Sequence, residues 1–188
     1  MVSLANEIRR KGIHLIGLIV PLLYWTAGKF ETLCFIAFWT ILFIAGEVYR
    51  FRRGIPKEIG EVAAPMMRKR ERSSIGGHVY FALGLFIAVF LYEKNIAIAI
   101  SLIMVLADGA AAIVGKSFGR MHLISKKTLE GTLTLICVAF VVSVWFVGWA
   151  VALVGAVIAG LVELMPVDDN LSIPIFSGLA MAAMRYFL

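Results

Sequence analysis

The amino-acid sequence predicts an all-α protein, a polytopic membrane helix bundle of about seven spans forming a single domain over residues 1–188. Three observations predict it. Of the 188 residues, 61% are hydrophobic and the mean hydropathy is +0.93, whereas a soluble domain is about 45–50% apolar. The apolar residues gather into seven runs with polar breaks between them. The cations crowd into alternate breaks.

In chain order the runs are Ile13–Ala27, Thr32–Tyr49, His78–Tyr92, Ile96–Val114, Leu133–Val147, Trp149–Leu164 and Ile173–Leu188. Several are shorter than the ~20 residues of a full span, so little tilt, a thinned bilayer or broken helices are expected. The first run carries no small-residue cleavage pattern and leads straight into others, which argues against a cleavable signal peptide. The loop Arg50–Gly77 is the one sizeable polar stretch, with a short amphipathic surface helix expected around Lys57–Met67. The break at Gly148 matters most. Without it the fifth and sixth runs fuse, the count drops to six, and Glu163–Asn170 moves to the face opposite the other charged segments.

Charge placement favours seven. With the N-terminus in the cytoplasm, 15 of the 18 Lys and Arg lie on the cytoplasmic side, and only Lys29, Lys94 and Arg185 lie on the other. Such a split obeys the positive-inside rule. The net charge of +6 therefore reads as topology, and as contact with anionic lipid or nucleotide phosphates rather than with nucleic acid. Cys34 and Cys137 sit in apolar runs without metal-ligand spacing and read as small buried hydrophobes, not as a disulfide. Trp25, Trp39, Trp145 and Trp149 fit aromatic belts at the membrane borders.

The polar residues form several constellations. Asp108 lies near the end of an apolar run, and Gly109, Gly115, Lys116, Gly119, Arg120, Lys126, Lys127, Glu130 and Gly131 follow it. Charges at a membrane border are costly, and this set suits a metal-bound polyphosphate. Carboxylates Asp108 and Glu130 would serve Mg²⁺, cations would serve phosphate oxygens, and Gly115 and Gly119 would let backbone N–H groups approach phosphate. The plainer alternative pairs Asp108 with Lys116, Arg120 or Lys127 simply to let the chain leave the bilayer. Gly115-Lys116-Ser117 resembles the end of a P-loop, but Ala110 stands where that pattern needs glycine and the preceding run is helical, so a true P-loop is rejected.

Glu163, Asp168, Asp169 and Asn170 repel one another unless something positive is bound; a divalent cation or a solvated turn would each account for them. On a helix, Glu7, Lys11 and His14 share one face and Arg10 aligns with His14, giving a base or phosphate-binding role for Arg10 and His14, or an ordinary interfacial histidine. Glu47 with Arg50, and Ser74-Ile75-Gly76-Gly77-His78, cap the second and third runs.

Taken in order, Glu7-Ile8-Arg9-Arg10-Lys11-Gly12-Ile13-His14, Gly46-Glu47-Val48-Tyr49-Arg50, Ser74-Ile75-Gly76-Gly77-His78, Ala107-Asp108-Gly109-Ala110-Ala111 with Gly115-Lys116 and Gly119-Arg120, Lys127-Thr128-Leu129-Glu130-Gly131-Thr132, and Glu163 with Asp168-Asp169-Asn170-Leu171-Ser172-Ile173-Pro174 resemble the CTP-dependent lipid-alcohol kinases: dolichol, phytol and farnesol kinases and the fungal CTP-dependent diacylglycerol kinase. The resemblance implies transfer of the γ-phosphoryl of CTP to the hydroxyl of a membrane-dissolved alcohol with Mg²⁺ or a similar ion; a site at the cytoplasmic membrane border would admit nucleotide from water and hydroxyl from lipid. The resemblance implies Asp108, Glu130 and Asp168-Asp169-Asn170 at the nucleotide and metal, with Lys116, Arg120 and Lys127 on phosphates. Lys116 departs from the pattern, standing where arginine is often found, which weakens bidentate phosphate contact there. The acceptor is expected to be a dolichol- or polyprenol-type alcohol, phytol or geranylgeraniol, with diacylglycerol equally open. A cytidylyltransferase making a CDP-lipid, or a small non-enzymatic transporter, are the competing readings. Oligomeric state is not legible in the residues.

Overall fold

The computed structural model describes residues 3–55, 60, 61, 64, 65, 67, 71, 73–124 and 127–188. Helix α1 (Leu4–His14) starts on Ser3, whose hydroxyl accepts the Asn6 N–H at 3.2 Å. It passes through a 3-10 turn (Leu15–Leu18) into α2 (Ile19–Thr26). The tightened turn lies just before Pro21, which has no N–H to offer the helical ladder. Gly28 turns the chain into α3 (Lys29–Arg53). Helix α4 (Gly77–Leu91) follows the polar loop. Then α5 (Lys94–Leu102), a π turn (Ile103–Ala107) and α6 (Asp108–Phe118) run on as one rod of 25 residues. Helices α7 (Leu129–Val147), α8 (Trp149–Glu163) and α9 (Asp169–Tyr186) complete the chain.

Counting α1–α2 and α5–α6 as single rods gives seven among the described residues, as expected for an all-α membrane bundle. Gly148, at φ 80°, makes the break that the count depends on, and α7 and α8 pack against each other beyond it. A side chain at that φ would be strained, so the turn needs its glycine. Three helices, Lys29–Arg53, Lys94–Phe118 and Leu129–Val147, are long and apolar enough to cross a bilayer, and Gly77–Leu91 and Trp149–Glu163 are shorter apolar helices.

The rods differ sharply in surroundings. The α5–α6 rod is 67% buried over its most apolar window, against 22% for α3, so α5–α6 is the axis of the bundle and α3 a peripheral rod. Ile96, Ile100, Ile103, Met104 and Val105 form the centre of the core. Large apolar side chains on α3, among them Phe38, Ile41 and Leu42, point outward, as lipid-facing residues do. Small residues bring helices together. In α9, Pro174 has no N–H for the Asn170 carbonyl, and that carbonyl rests on Gly84 of α4, where a Cβ would lie 2.0 Å from the oxygen.

Several expectations are corrected. The first helix begins at Leu4 rather than Ile13, the fourth rod continues to Phe118 rather than stopping at Val114, and the seventh begins at Asp169. Cys34 and Cys137 are exposed on the flank of the bundle rather than buried. The surface helix expected around Lys57–Met67 lies largely outside the described residues.

Candidate functional site

The site begins with an inverted amphipathic helix. In α1, Leu4 and Ile8 are exposed, while Glu7 and Lys11 are buried and Arg10 nearly so. Glu7, Arg10, Lys11 and His14 stand at i, i+3, i+4 and i+7, one face of a helix, and α1 packs that face toward α6. A polar face turned inward and an apolar face turned outward suit a helix with lipid on its outer side.

The Lys11 ammonium donates to Asp108 Oδ2 across 97 residues of sequence, and both side chains are buried. Asp108 follows the π turn, a feature common at functional sites. Breaking such a buried pair from one side costs about 3–5 kcal/mol, because the other charge stays desolvated. Around it, Arg10 pairs with Glu7 and lies 4.0 Å from Glu71. Lys116 Nζ donates to the Ser3 carbonyl at 3.2 Å and sits 3.6 Å from Glu7. His14 stacks at a tilt on Phe81, ring centroids 4.4 Å apart.

The second half of the site comes from the other side of the bundle. Lys127 precedes α7, where Thr128 caps the helix by accepting the Gly131 N–H at 3.2 Å. Its ammonium donates to Glu163 Oε1 at 2.9 Å and Asp169 Oδ2 at 2.7 Å. Thr132, one turn into α7, donates its hydroxyl to Glu163 Oε2 at 3.1 Å. Burial opposes the charge on Lys127, but Asp169 and Glu163 together outweigh it and hold the ammonium's pKa above its ordinary value. Lys127 and His14 also act electrostatically on Asp108. Residues from α1, α6, the α6–α7 connection, α8 and the start of α9 thus share one charged region.

Other candidates have local backbone partners. Asp168 caps α9, its Oδ1 accepting the Asn170 N–H at 3.2 Å and the Asn170 amide at 2.9 Å. Glu130 is engaged by backbone of the α6–α7 connection. Its Oε1 accepts the N–H groups of Arg120 at 3.0 Å and Met121 at 3.3 Å, and it lines a shallow pocket with Ser117, Phe118, Gly119 and the exposed Arg120. Gly115 and Gly119 are also reassigned. The helix continues through Gly115, and a Cβ there would lie 2.9 Å from Thr128 Oγ1. Gly119 spends its N–H on the Gly115 carbonyl at 3.2 Å. Both are packing residues where α6 meets α7, and Gly119's N–H is not available to a phosphate.

Among the described residues, no three His, Cys, Asp or Glu side chains stand ready as a metal-ligand set. The carboxylates of Asp108, Glu163 and Asp169 face ammonium groups instead.

The chain is 27% identical to the CTP-dependent diacylglycerol kinase 1 of Schizosaccharomyces pombe over 93% of its own length and 92% of that protein's. It is 26% identical to the protein of the same name in Saccharomyces cerevisiae, over 63% of this chain and 51% of that one. An uncharacterized protein of Rickettsia prowazekii is 25% identical over 97% of this chain and 96% of its own. The likeness is to CTP-dependent lipid kinases. No model of a known protein family matches the chain, and no solved structure does.

Sequence reasoning passed over two elements. Lys11 carried no signal of its own partner, and Thr132 was read only as part of a motif. Beside this region, next to Gly77 and Glu71, Glu47 accepts from Arg50 Nε at 3.2 Å and from the Gly76 N–H at 3.2 Å, while Arg50 also donates to the Ser74 carbonyl at 2.7 Å. That cluster fastens the end of α3 to the start of α4.

Proposed function

We propose that the protein is a CTP-dependent lipid kinase that transfers the γ-phosphoryl of CTP to the hydroxyl of a membrane-dissolved lipid alcohol. The observation that carries this reading is the convergence of Lys11, Asp108, Lys127, Glu163 and Asp169 from separate helices into one partly buried charged region. The likeness to fungal CTP-dependent diacylglycerol kinases supports CTP as donor and favours diacylglycerol over an isoprenoid alcohol as acceptor. Charge placement supports a cytoplasmic N-terminus, which puts this region at the cytoplasmic border, where nucleotide arrives from water and hydroxyl from lipid.

The chemistry needs positioning and charge neutralisation more than covalent participation by the protein. In the transfer, the bond from the γ-phosphorus to the bridging oxygen breaks, CDP leaves, and the lipid oxygen takes its place. Lys127, Lys11 and Arg10 hold phosphate oxygens. Asp108, Glu163 and Asp169 are hard oxygen donors of the kind Mg²⁺ takes, and the bound ion would neutralise charge between phosphates. Lysines now meet these carboxylates, so Lys127 and Lys11 exchange carboxylate for phosphate as the nucleotide arrives. His14, one helical turn beyond Lys11 and packed on Phe81, accepts the hydroxyl proton.

The test is purified protein in vesicles with γ-labelled CTP, Mg²⁺ and a panel of diacylglycerol, polyprenol, phytol and geranylgeraniol. Label appearing in one lipid monophosphate, with CDP as co-product, is the expected result. Pyrophosphate with a CDP-lipid would instead establish a cytidylyltransferase. No nucleotide turnover, with Asp108→Ala indistinguishable from the unaltered chain, would overturn the enzymatic reading.

A further inference from the structure

The described residues of the connection from α6 to α7, Gly119–Ile124 with Lys127 and Thr128, are bonded as a hairpin that belongs to neither helix. The Leu123 N–H donates to the Lys127 carbonyl at 2.9 Å, the Leu129 N–H donates to the Met121 carbonyl at 2.8 Å, and His122 pairs with Thr128 as an isolated bridge. Glu130 closes the base through the Arg120 and Met121 N–H groups. An ordered loop of this kind in water would carry polar side chains outward. Here Phe118 is 70% exposed, Met121 59%, Leu123 42% and Ile124 56%. Four large apolar side chains gathered within seven residues, outside any core, mark an interaction surface.

Depth and charge identify what meets it. At 1.5 Å per residue the 25 residues of Lys94–Phe118 extend about 37 Å, beyond the ~30 Å of a hydrocarbon core. The 19 residues of α7 extend about 28 Å, so Leu129 stands at the border when Val147 stands at the opposite one. The hairpin therefore lies at the headgroup layer. Arg120 and His122 are exposed beside the apolar tip, and cations there complement anionic lipid.

We propose that Phe118–Ile124, the end of α6 with the first arm of the hairpin, is a membrane-dipping wedge. Phe118, Met121, Leu123 and Ile124 enter the interfacial layer, and Arg120 and His122 meet anionic phospholipid headgroups. Because Lys127 lies opposite Leu123 and bonds to it through its carbonyl, the wedge also fixes the depth of that ammonium relative to the bilayer. This inference rests on the membrane bundle and not on the kinase reading.

The test uses the full chain carrying Cys34→Ser and Cys137→Ser, both at exposed positions, with Ile124→Cys spin-labelled in phosphatidylglycerol-containing vesicles. Collisions with oxygen exceeding those with a water-soluble nickel chelate, without spin–spin broadening, are expected. Leu123→Cys gives the same pattern and serves where the first variant does not fold. Dominant access by the nickel chelate would show a hairpin in water and overturn the proposal. Shielding from both probes with spin–spin broadening would show a second copy of this chain on the patch, and would overturn it equally.

Discussion

The two ends of the bundle use charge in opposite ways. At the end holding Lys29, Lys94 and Arg185, cations cap helices. Lys94 donates to the Trp25 carbonyl at 3.1 Å and Lys29 to the Phe90 carbonyl at 2.9 Å, each satisfying the last turn of a neighbouring helix. Arg185 and Glu93 pair at 2.7 Å with 42% and 50% of their side chains exposed. At the other end cations meet carboxylates, and the Lys11–Asp108 pair is buried. A capping lysine contributes about one hydrogen bond of stability, roughly 0.5–1.5 kcal/mol. A buried ion pair adds little net stability over an apolar pair of the same shape, yet is costly to break. The difference teaches that the first end is organised for fastening, while the second keeps an arrangement that fastening does not require.

Four experiments would break or sharpen that contrast. Asp108→Ala carries the largest effect. Lipid phosphorylation is expected to fall about 10²–10³-fold, and stability to fall by about 3–5 kcal/mol as the buried Lys11 ammonium loses the Asp108 carboxylate. The double variant Lys11→Met with Asp108→Leu should recover stability in thermal unfolding but not turnover. A double variant that regains turnover would make the pair structural.

His14→Gln is expected to lower kcat by about 10²-fold and to remove the acid limb of the pH–rate profile, with the melting temperature little changed. A limb that survives would return the proton-accepting role to a carboxylate. Lys127→Met should reduce kcat/KM for CTP by about 10–100-fold, as the loss of a charged hydrogen bond does. Its stability cost is smaller, about 1–2 kcal/mol, since the ammonium is partly exposed to solvent. Because the two carboxylates raise the Lys127 pKa, their stabilising contribution is complete below the ordinary lysine pKa. It disappears only as pH rises through the raised value in the folded protein, so stability at neutral pH should not vary with this group.

Arg185→Ala and Lys94→Ala should do least: under about 1 kcal/mol each in unfolding, and no change in phosphorylation rate. A large kinetic effect from either would mean that the two ends are coupled, and that the contrast drawn between them is false.

Much of the architecture was legible beforehand. The break at Gly148 was readable because glycine interrupts two apolar runs whose charged flanks demand an even number of crossings between them. Asp108 was readable as unusual because a carboxylate in an apolar run has few ordinary uses. Its partner was not, since Lys11 lies 97 residues away and no local pattern points across that distance. Glu130 and Glu163 illustrate the same limit. Both are acids beside helix ends, yet Glu130 turns to backbone N–H groups of its own hairpin while Glu163 turns inward to Lys127 and Thr132. Gly115 read as a phosphate contact because a loop was expected there; close packing of α6 on α7 explains the glycine instead.

Composition and the position of charges by themselves determine that this chain is a helical membrane bundle with its cations gathered toward one end. Hydrocarbon admits only apolar surface and internally bonded backbone, whatever the packing. Which lysine meets which carboxylate, and which glycine serves a crossing rather than a ligand, was decided by tertiary structure alone. Helical periodicity assigns a residue to a face, but the neighbour across that face is chosen by how whole helices fit together.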